Sequence, residues 1–201
     1  MRPPGRERVA GLVLAAGGSR RLGQPKQLLP FEGKTLLDTT LGSARACGFD
    51  QIVCALGGAI DEVRDTVDLS GVEVVENPDY GAGCSSSVAA ALPAVDPRCD
   101  VLVLLLGDQP GVTPRTVAAL LTARGDAPLA VCRYDDGRGH PFAFSRLLFG
   151  ELATMHGDKA VWKLLERHAD EVVEASIPGP VPLDVDTWDD YRAVLAGANR
   201  P

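Results

Sequence analysis

Three glycines and three cations lie close together in the segment Ala15-Ala16-Gly17-Gly18-Ser19-Arg20-Arg21-Leu22-Gly23-Gln24-Pro25-Lys26. Gly17, Gly18 and Gly23 allow close backbone approach and unusual φ values. Successive backbone N–H groups in such a loop form an anion nest. Arg20, Arg21 and Lys26 add positive charge; an arginine grips phosphate oxygens as a bidentate fork, and a lysine acts as a point charge. Phosphate is the ligand that uses all of these features at once. The spacing is neither Gly-x-x-x-x-Gly-Lys-Ser/Thr nor the dinucleotide pattern Gly-x-Gly-x-x-Gly. A plain strand-to-helix turn carrying surface arginines is the simpler alternative.

A second chemical signal is Gly107-Asp108-Gln109-Pro110, at the end of the most apolar run in the chain. A carboxylate at the end of a buried strand is costly unless something pairs with it. A divalent cation would do so. Mg²⁺ takes one or two carboxylates and lets substrate phosphates complete its octahedron. The alternative is that Asp108 only shapes a turn between Gly107 and Pro110. Ser85 to Ser87 have the composition of a helix cap. His140 has a plain reading as a loop histidine satisfied by backbone, and His156 and His168 as surface residues.

The elements that must position these residues follow from pattern. Residues 9–14 are a continuous apolar run leading straight into the glycine loop. Further strands are expected at 51–56, 72–75, 100–106, 129–132 and 142–144, with another at 172–173. Helices are expected at 35–47 with Gly48 as C-cap, and at 61–67, 85–92, 145–153, 158–168 and 187–195. Thr113-Pro114 reads as an N-cap with proline at the first helical position, opening a helix to Arg124. Residues 183–186 are short and extended. Strands without polar alternation, separated by helices, predict a three-layer, doubly wound α/β fold with a mostly parallel sheet. Ligands in such sheets bind beyond the carboxyl ends of the strands. The glycine loop and Asp108 both follow strand ends, so they are expected to face one crevice.

Composition narrows the classes. A chain of 201 residues fits one domain, with residues 1–7 and 197–201 expected to fray. Hydrophobic content is 45% and aromatic content 5%, so the core rests on Leu, Val and Ala. A net charge of −7, with no long Lys/Arg run, argues against a nucleic-acid surface but not against a local basic pocket. Five cysteines without a Cys-x-x-Cys pair point to neither a disulfide framework nor a zinc ribbon. Cys54, Cys99 and Cys132 read as small buried hydrophobes. The charged residues 1–8 do not resemble a signal peptide, and the apolar run 101–106 is too short to span a bilayer. A reducing cytoplasm without membrane attachment is the expected setting.

Leu14-Ala15-Ala16-Gly17-Gly18-Ser19-Arg20-Arg21-Leu22-Gly23-Gln24-Pro25-Lys26 resembles the signature of the MobA-like nucleotidyltransferases, with wording nearest to molybdenum cofactor cytidylyltransferases. Leu22 stands where the family has Met. The resemblance implies that Arg21 and Lys26 hold a nucleoside triphosphate, and that the backbone near Leu14 and Ala15 helps to read the base. The segment from Asn77 to Ser87 is similar to the family's Asn-Pro-x-Trp-x-x-Gly-Met-x-Ser-Ser, which implies a nucleotide role for Gly83, Ser86 and Ser87; Tyr80 and Cys84 depart from it. The family's counterpart of Asp108 is its metal ligand. Leu183-Asp184-Val185-Asp186-Thr187 resembles the family's closing segment. With period-2 spacing, Asp184 and Asp186 share a face of an extended chain. Asp186 is expected to be the second Mg²⁺ ligand, ahead of Asp184; an Asp–Thr helix cap is the alternative. Gly139-His140-Pro141 resembles the family's acceptor-side Gly-His-Pro, which implies acceptor contacts for His140 and Pro141. In His156-Gly157-Asp158-Lys159 and the residues after it, Ala160-Val161-Trp162 replace the family's Gly-Ala-Arg, and a cation is lost.

The reaction implied is attack of an acceptor oxygen on the α-phosphorus of an NTP, with pyrophosphate leaving. The resemblance suggests CTP and a molybdopterin-type molybdenum cofactor, with a molybdenum hydroxylase as recipient of the product. GTP or a sugar phosphate could replace these substrates without changing the chemistry. An NAD(P)H-dependent oxidoreductase is the rival from another class, because an open α/β sheet does not decide function.

Overall fold

The apolar run after residue 8 becomes β1 (Val9–Ala15), buried along its whole length. This computed structural model describes residues 7–157 and 159–198. After β1 and the glycine loop, a small hairpin joins β2 (Pro30–Phe31) to β3 (Lys34–Thr35). Glu32 and Gly33 make its turn at φ 49° and 78°. Thr35 then caps α1 (Leu36–Ala46) in a complete capping box with Asp38. Gly48, at φ 69°, follows the end of α1.

The chain continues through β4 (Gln51–Leu56), α2 (Ile60–Thr66), β5 (Glu73–Glu76), α3 (Cys84–Ala91) and β6 (Val101–Leu106). Thr113 caps α4 (Pro114–Arg124), accepting from the Thr116 N–H, with Pro114 in the first turn. The second half adds β7 (Leu129–Arg133), β8 (Arg138–Ser145), α5 (Phe149–Thr154), α6 (Ala160–Arg167), β9 (Val172–Ser176) and α7 (Trp188–Ala198).

The main sheet has the order β5-β4-β1-β6-β8-β7-β9. Every pairing is parallel except those of β8, which runs antiparallel to β6 and β7. Side chains alternate to two buried faces. One face joins Val13, Leu56 and Val103 to Leu37, Leu41 and Leu120 of the helices. The other joins Leu12, Leu104 and Phe142 to Val88, Leu152 and Leu164. Helices on both faces explain why the strands show no polar alternation. The fold is the doubly wound, mostly parallel α/β sheet expected.

A third, smaller cluster joins Leu22, Leu29, Phe31 and Leu36 to Val185 and the α7 residues Tyr191 and Val194. The Tyr191 hydroxyl also donates to the Pro30 carbonyl at 2.6 Å. This packing fastens the end of the glycine loop to the C-terminal segment.

Several elements differ from the sequence pattern. The expected 142–144 strand extends back to Arg138, because polar and glycine residues at its start still pair with β7 across a register shift between Val131 and Cys132. The helix expected from 145 begins as a 3₁₀ turn at Arg146–Leu148. Residues 183–186 join no strand. Of the ends expected to fray, 1–6 and 199–201 lie outside the described residues, Glu7 pairs with Arg124, and α7 runs through residues 197 and 198. Cys54, Cys99 and Cys132 are buried, as expected. Burial pushes the Cys54 and Cys132 thiols up to about 12. Among the described residues no helix is long and apolar enough to cross a membrane.

Candidate active site

β1 and β6 are neighbours in register, so Leu14 lies opposite Leu106 and the two strands end side by side. The glycine loop leaves one and Gly107-Asp108 leaves the other. The Gly107 N–H donates to the Leu14 carbonyl at 2.9 Å, and a Cβ on Gly107 would meet the Ala15 side chain at 2.8 Å. Only glycine permits that approach. The crevice expected from topology is present as a cleft of about 380 Å³. Leu14, Ala15, Ala16, Gly17, Lys26, Gly83, Ser87, Asp108, His140 and Asp186 line it, together with Gln27, Tyr80, Cys84, Leu106 and Asp184. A groove of similar size, lined by Gly17, Gly18, Ser19, Arg20, Arg21, Lys26 and Asp186, adjoins it, and Tyr80 borders both.

Lys26 is the hub. Its Nζ contacts the Asp108 carboxylate and lies 2.9 Å from Asp186 Oδ1. Arg21 Nη2 reaches Asp186 Oδ2 at 3.0 Å. The Lys26 backbone is itself fixed: its N–H donates to Ser19 Oγ at 2.9 Å. Desolvation alone would lower the Lys26 pKa, but Asp108 and Asp186 outweigh it and hold the ammonium charged. Burial raises the Asp108 carboxyl above its ordinary range, with Lys26 opposing that shift. For Asp186 the hydrogen bond from Lys26 dominates and holds the carboxyl low. The site thus contains one strongly desolvated carboxylate and one half-exposed carboxylate that share Lys26, the second also paired with Arg21.

Asp108 and Asp186 converge on one point, at present filled by an ammonium. Oxygen donors aimed at a common point suit a hard divalent cation. Among the described residues no group of three or more His, Cys, Asp or Glu could hold a metal ion by itself. The two carboxylates therefore fit such an ion only if phosphate oxygens and water complete its shell. Asp184 is exposed and lines the cleft, while Val185 between them is fully buried, so the period-2 expectation holds without a strand. The Val185 N–H donates to the Asp108 carbonyl at 3.3 Å and ties this segment to the end of β6. Thr187 and Asp190 exchange side-chain and backbone hydrogen bonds as α7 begins, so capping and cleft lining coexist here.

The loop is built differently from the expectation that three glycines would supply the unusual φ values. Of Gly17, Gly18 and Gly23, only Gly23 has positive φ, at 72°, and Ser19 adopts 48° instead. Gly18 serves by being small: a Cβ on it would lie 3.2 Å from the Tyr80 ring. The ring also occupies the space over Gly57 and Gly58.

Gly83 and Ser87 reach the cleft, but Ser86 does not line it. The Ser86 hydroxyl donates to the Gly83 carbonyl at 2.8 Å, and Asn77 Nδ2 donates to both Ser86 and Ser87 hydroxyls at 2.9 Å. His140 lines the cleft with its ring edge-on to Phe142, 4.3 Å between centroids, and Trp162 packs on Phe142 at 5.2 Å. Burial lowers the His140 pKa to about 3, so the imidazole is neutral and offers a hydrogen bond or a stacking face rather than a charge. Pro141 is buried in β8 and does not line the cleft. Trp162 completes an aromatic floor where the family carries a cation. His156 is exposed, Asp158 lies outside the described residues, and His168 is half-buried between Glu151 and Glu171. The residues that sequence reasoning missed are Asn77 and Gln27. Both are buried polar side chains beside recognised motifs, and burial of a polar group is the signal that finds them.

The fold, with a cation-rich loop and a carboxylate at adjacent strand ends, is the nucleotide-diphospho-sugar transferase fold. The pattern of the MobA-like NTP transferase domain matches residues 11–172, and the chain belongs to that family of nucleotidyltransferases. The match ends before Asp184 and Asp186, which join the site through tertiary packing. The chain is 31% identical to the molybdenum cofactor cytidylyltransferase of Escherichia coli (strain K12) over 186 residues, 90% of this chain and 92% of that protein. It is 33% identical to the nicotine blue oxidoreductase of Paenarthrobacter nicotinovorans over 159 residues, 75% of this chain and 78% of that one. Among solved structures, the manganese complex of Rv0371C from Mycobacterium tuberculosis H37Rv is similar with a TM-score of 0.83 and 49% identity, covering 94% of this chain and 98% of that chain.

Proposed function

We propose that the chain transfers CMP from CTP to a molybdopterin-type molybdenum cofactor with release of pyrophosphate, using Mg²⁺ or a similar divalent cation. The observation that carries this reading is the convergence of Lys26, Arg21, Asp108 and Asp186 at the mouth of a cleft lined by Leu14 to Gly17. Such a site neutralises a triphosphate at one end and has room for a base at the other.

The chemistry asks for positioning and charge neutralisation more than for covalent help. Asp108 and Asp186 would hold the cation, which when bound supplies Lewis-acid polarisation of the phosphate. Lys26 then exchanges its carboxylate partners for phosphate oxygens, and Arg21 forks onto the leaving pyrophosphate. The Gly17 and Gly18 amides, in the groove beside Arg21 and Lys26, would be available to the same anion. Gly83 and Ser87 form the opposite wall, with Ser87 oriented by Asn77. The neutral His140 ring on its aromatic floor suits a flat heterocycle such as a pterin better than a second phosphate. A phosphate-type acceptor oxygen is already ionised near neutral pH, so no general base is needed.

The oxidoreductase name carried by one relative keeps a second reading open on this scaffold. A thermal-shift panel of CTP, GTP, ATP and NADPH, with and without Mg²⁺, separates the two. CTP with Mg²⁺ should stabilise most. Stabilisation by NADPH alone overturns the transferase reading, and a stronger shift with GTP replaces CTP while keeping the chemistry.

A further inference from the structure

Four carbonyls of the glycine loop and its approach, those of Leu14, Ala15, Gly17 and Ser19, accept hydrogen bonds within the protein. The Leu14 carbonyl accepts from Gly107, and the Ser19 carbonyl accepts from the Leu22 and Gly23 N–H groups at 3.0 and 3.2 Å. The Ala15 and Gly17 carbonyls are both taken by one side chain: Gln27 Nε2 donates to them at 2.6 and 3.1 Å. Among the described residues no acceptor meets the N–H groups of Gly17 and Gly18.

Gln27 does this from a buried position, 3% exposed, in the short 3₁₀ turn Lys26–Leu28. Its neighbour Lys26 reaches the carboxylates, whereas Gln27 reaches under the loop. Its own Oε1 is buried and has no hydrogen-bond partner. A buried acceptor left unpaired is unfavourable, so the amide is held by what its nitrogen does. Without Gln27, two carbonyl oxygens at the start of the loop would lack a donor, and each would present negative charge beside any bound phosphate.

We infer that Gln27 is a positioning residue that favours anion binding at the glycine loop: its amide engages the Ala15 and Gly17 carbonyls, so that these two oxygens do not oppose a polyphosphate at the Gly17 and Gly18 N–H groups. This rests on the nucleotidyltransferase reading for the identity of the polyphosphate, but not for the polarity of the loop. It assigns no base-reading role to Oε1.

The test uses the full chain, Gln27→Met and Gln27→Glu, with sodium tripolyphosphate, CTP and cytidine as probes in calorimetric or NMR titrations, and with melting temperatures recorded. Methionine matches the length of glutamine without a donor, and glutamate is isosteric and acceptor-only. Tripolyphosphate and CTP should each bind about tenfold more weakly to Gln27→Met, the size expected for leaving carbonyls unpaired. Gln27→Glu should lose more, and cytidine should change little in either variant. Unchanged tripolyphosphate affinity in either folded variant overturns the inference. So does an equal loss for cytidine, which would mean that Gln27 reads the base or merely supports the fold. A wild-type chain that binds tripolyphosphate but no nucleotide removes the nucleotidyltransferase reading and leaves the role of Gln27 standing; one that binds neither overturns both.

Discussion

Lys26 Nζ lies 2.9 Å from Oδ1 of Asp186, across 160 positions of sequence. The same nitrogen contacts Asp108, so one ammonium bridges two carboxylates that come from different parts of the chain. The two sides are brought together by packing: Leu22 and Leu29 beside the loop share a cluster with Val185 beside Asp186. Lys26 holds the position where the carboxylates converge. Were Asp108 and Asp186 to hold a divalent ion, Lys26 would be available to phosphate oxygens.

Removing the lysine therefore has a stability consequence separate from catalysis. Taking one partner from a largely buried ion pair costs about 3 kcal/mol, because the remaining charge is uncompensated. Lys26→Met should lower Tm by roughly 6–12 °C for a chain of this size. Added Mn²⁺ or Mg²⁺ should recover part of the loss by replacing the missing positive charge. Differential scanning calorimetry with and without metal checks this, and an unchanged Tm in metal-free buffer contradicts it.

Asp108→Asn should keep the fold and lose at least about a hundredfold in the rate of pyrophosphate release, the scale on which preorganised electrostatic groups act. Asp186→Asn should have a smaller effect, since its carboxylate is more exposed. Initial rates against metal concentration distinguish the two. A full rate with Asp108→Asn would remove it from the metal site.

His140 gives a pH signature in stability. Burial lowers its pKa to about 3 from an ordinary 6.5. Between those values the unfolded chain binds the extra proton and the folded chain does not, so this residue's effect is to reduce stability as pH falls from about 6.5 toward 3. Above that window it has no effect. His140→Asn should flatten the acid limb of a stability-against-pH curve measured by urea titration; an identical limb in both proteins contradicts the lowered pKa of this ring.

Gly57→Ala probes the fit of Tyr80 over the loop. A Cβ there would lie 2.5 Å from the Ala16 carbonyl oxygen and 2.9 Å from Tyr80. Because the first contact is backbone, the loop has to shift. Overpacking of this kind costs about 1–3 kcal/mol, and weaker CTP binding should accompany it. Equilibrium unfolding together with a CTP titration tests both effects.

The glycine loop, Asp108 and the parallel sheet were legible in the sequence because each leaves a local mark: an uninterrupted apolar strand followed by glycines and cations, or a carboxylate at a strand end. The hairpin at 30–35 was not, because two-residue strands carry too little pattern, although Glu32-Gly33 marks its turn. Gly17 and Gly18 suggested backbone freedom, whereas the structure uses the missing side chain of Gly18 against Tyr80 and leaves positive φ to Ser19 and Gly23. Gln27 and Asn77 act through hydrogen bonds to residues 9 to 12 positions away. No periodicity encodes such contacts. The cleft lining by His140 needed β8 to lie antiparallel beside β6, a pairing that sequence pattern alone does not specify.

The most direct test is the reaction itself: purified chain, CTP, a molybdopterin-type molybdenum cofactor and Mg²⁺, with pyrophosphate and the cytosine dinucleotide product measured together. The account predicts equal amounts of the two, no reaction after chelation of the metal, and loss of activity in Asp108→Asn. Absence of pyrophosphate with CTP, GTP and ATP, alongside turnover of NADPH by the same preparation, would contradict it.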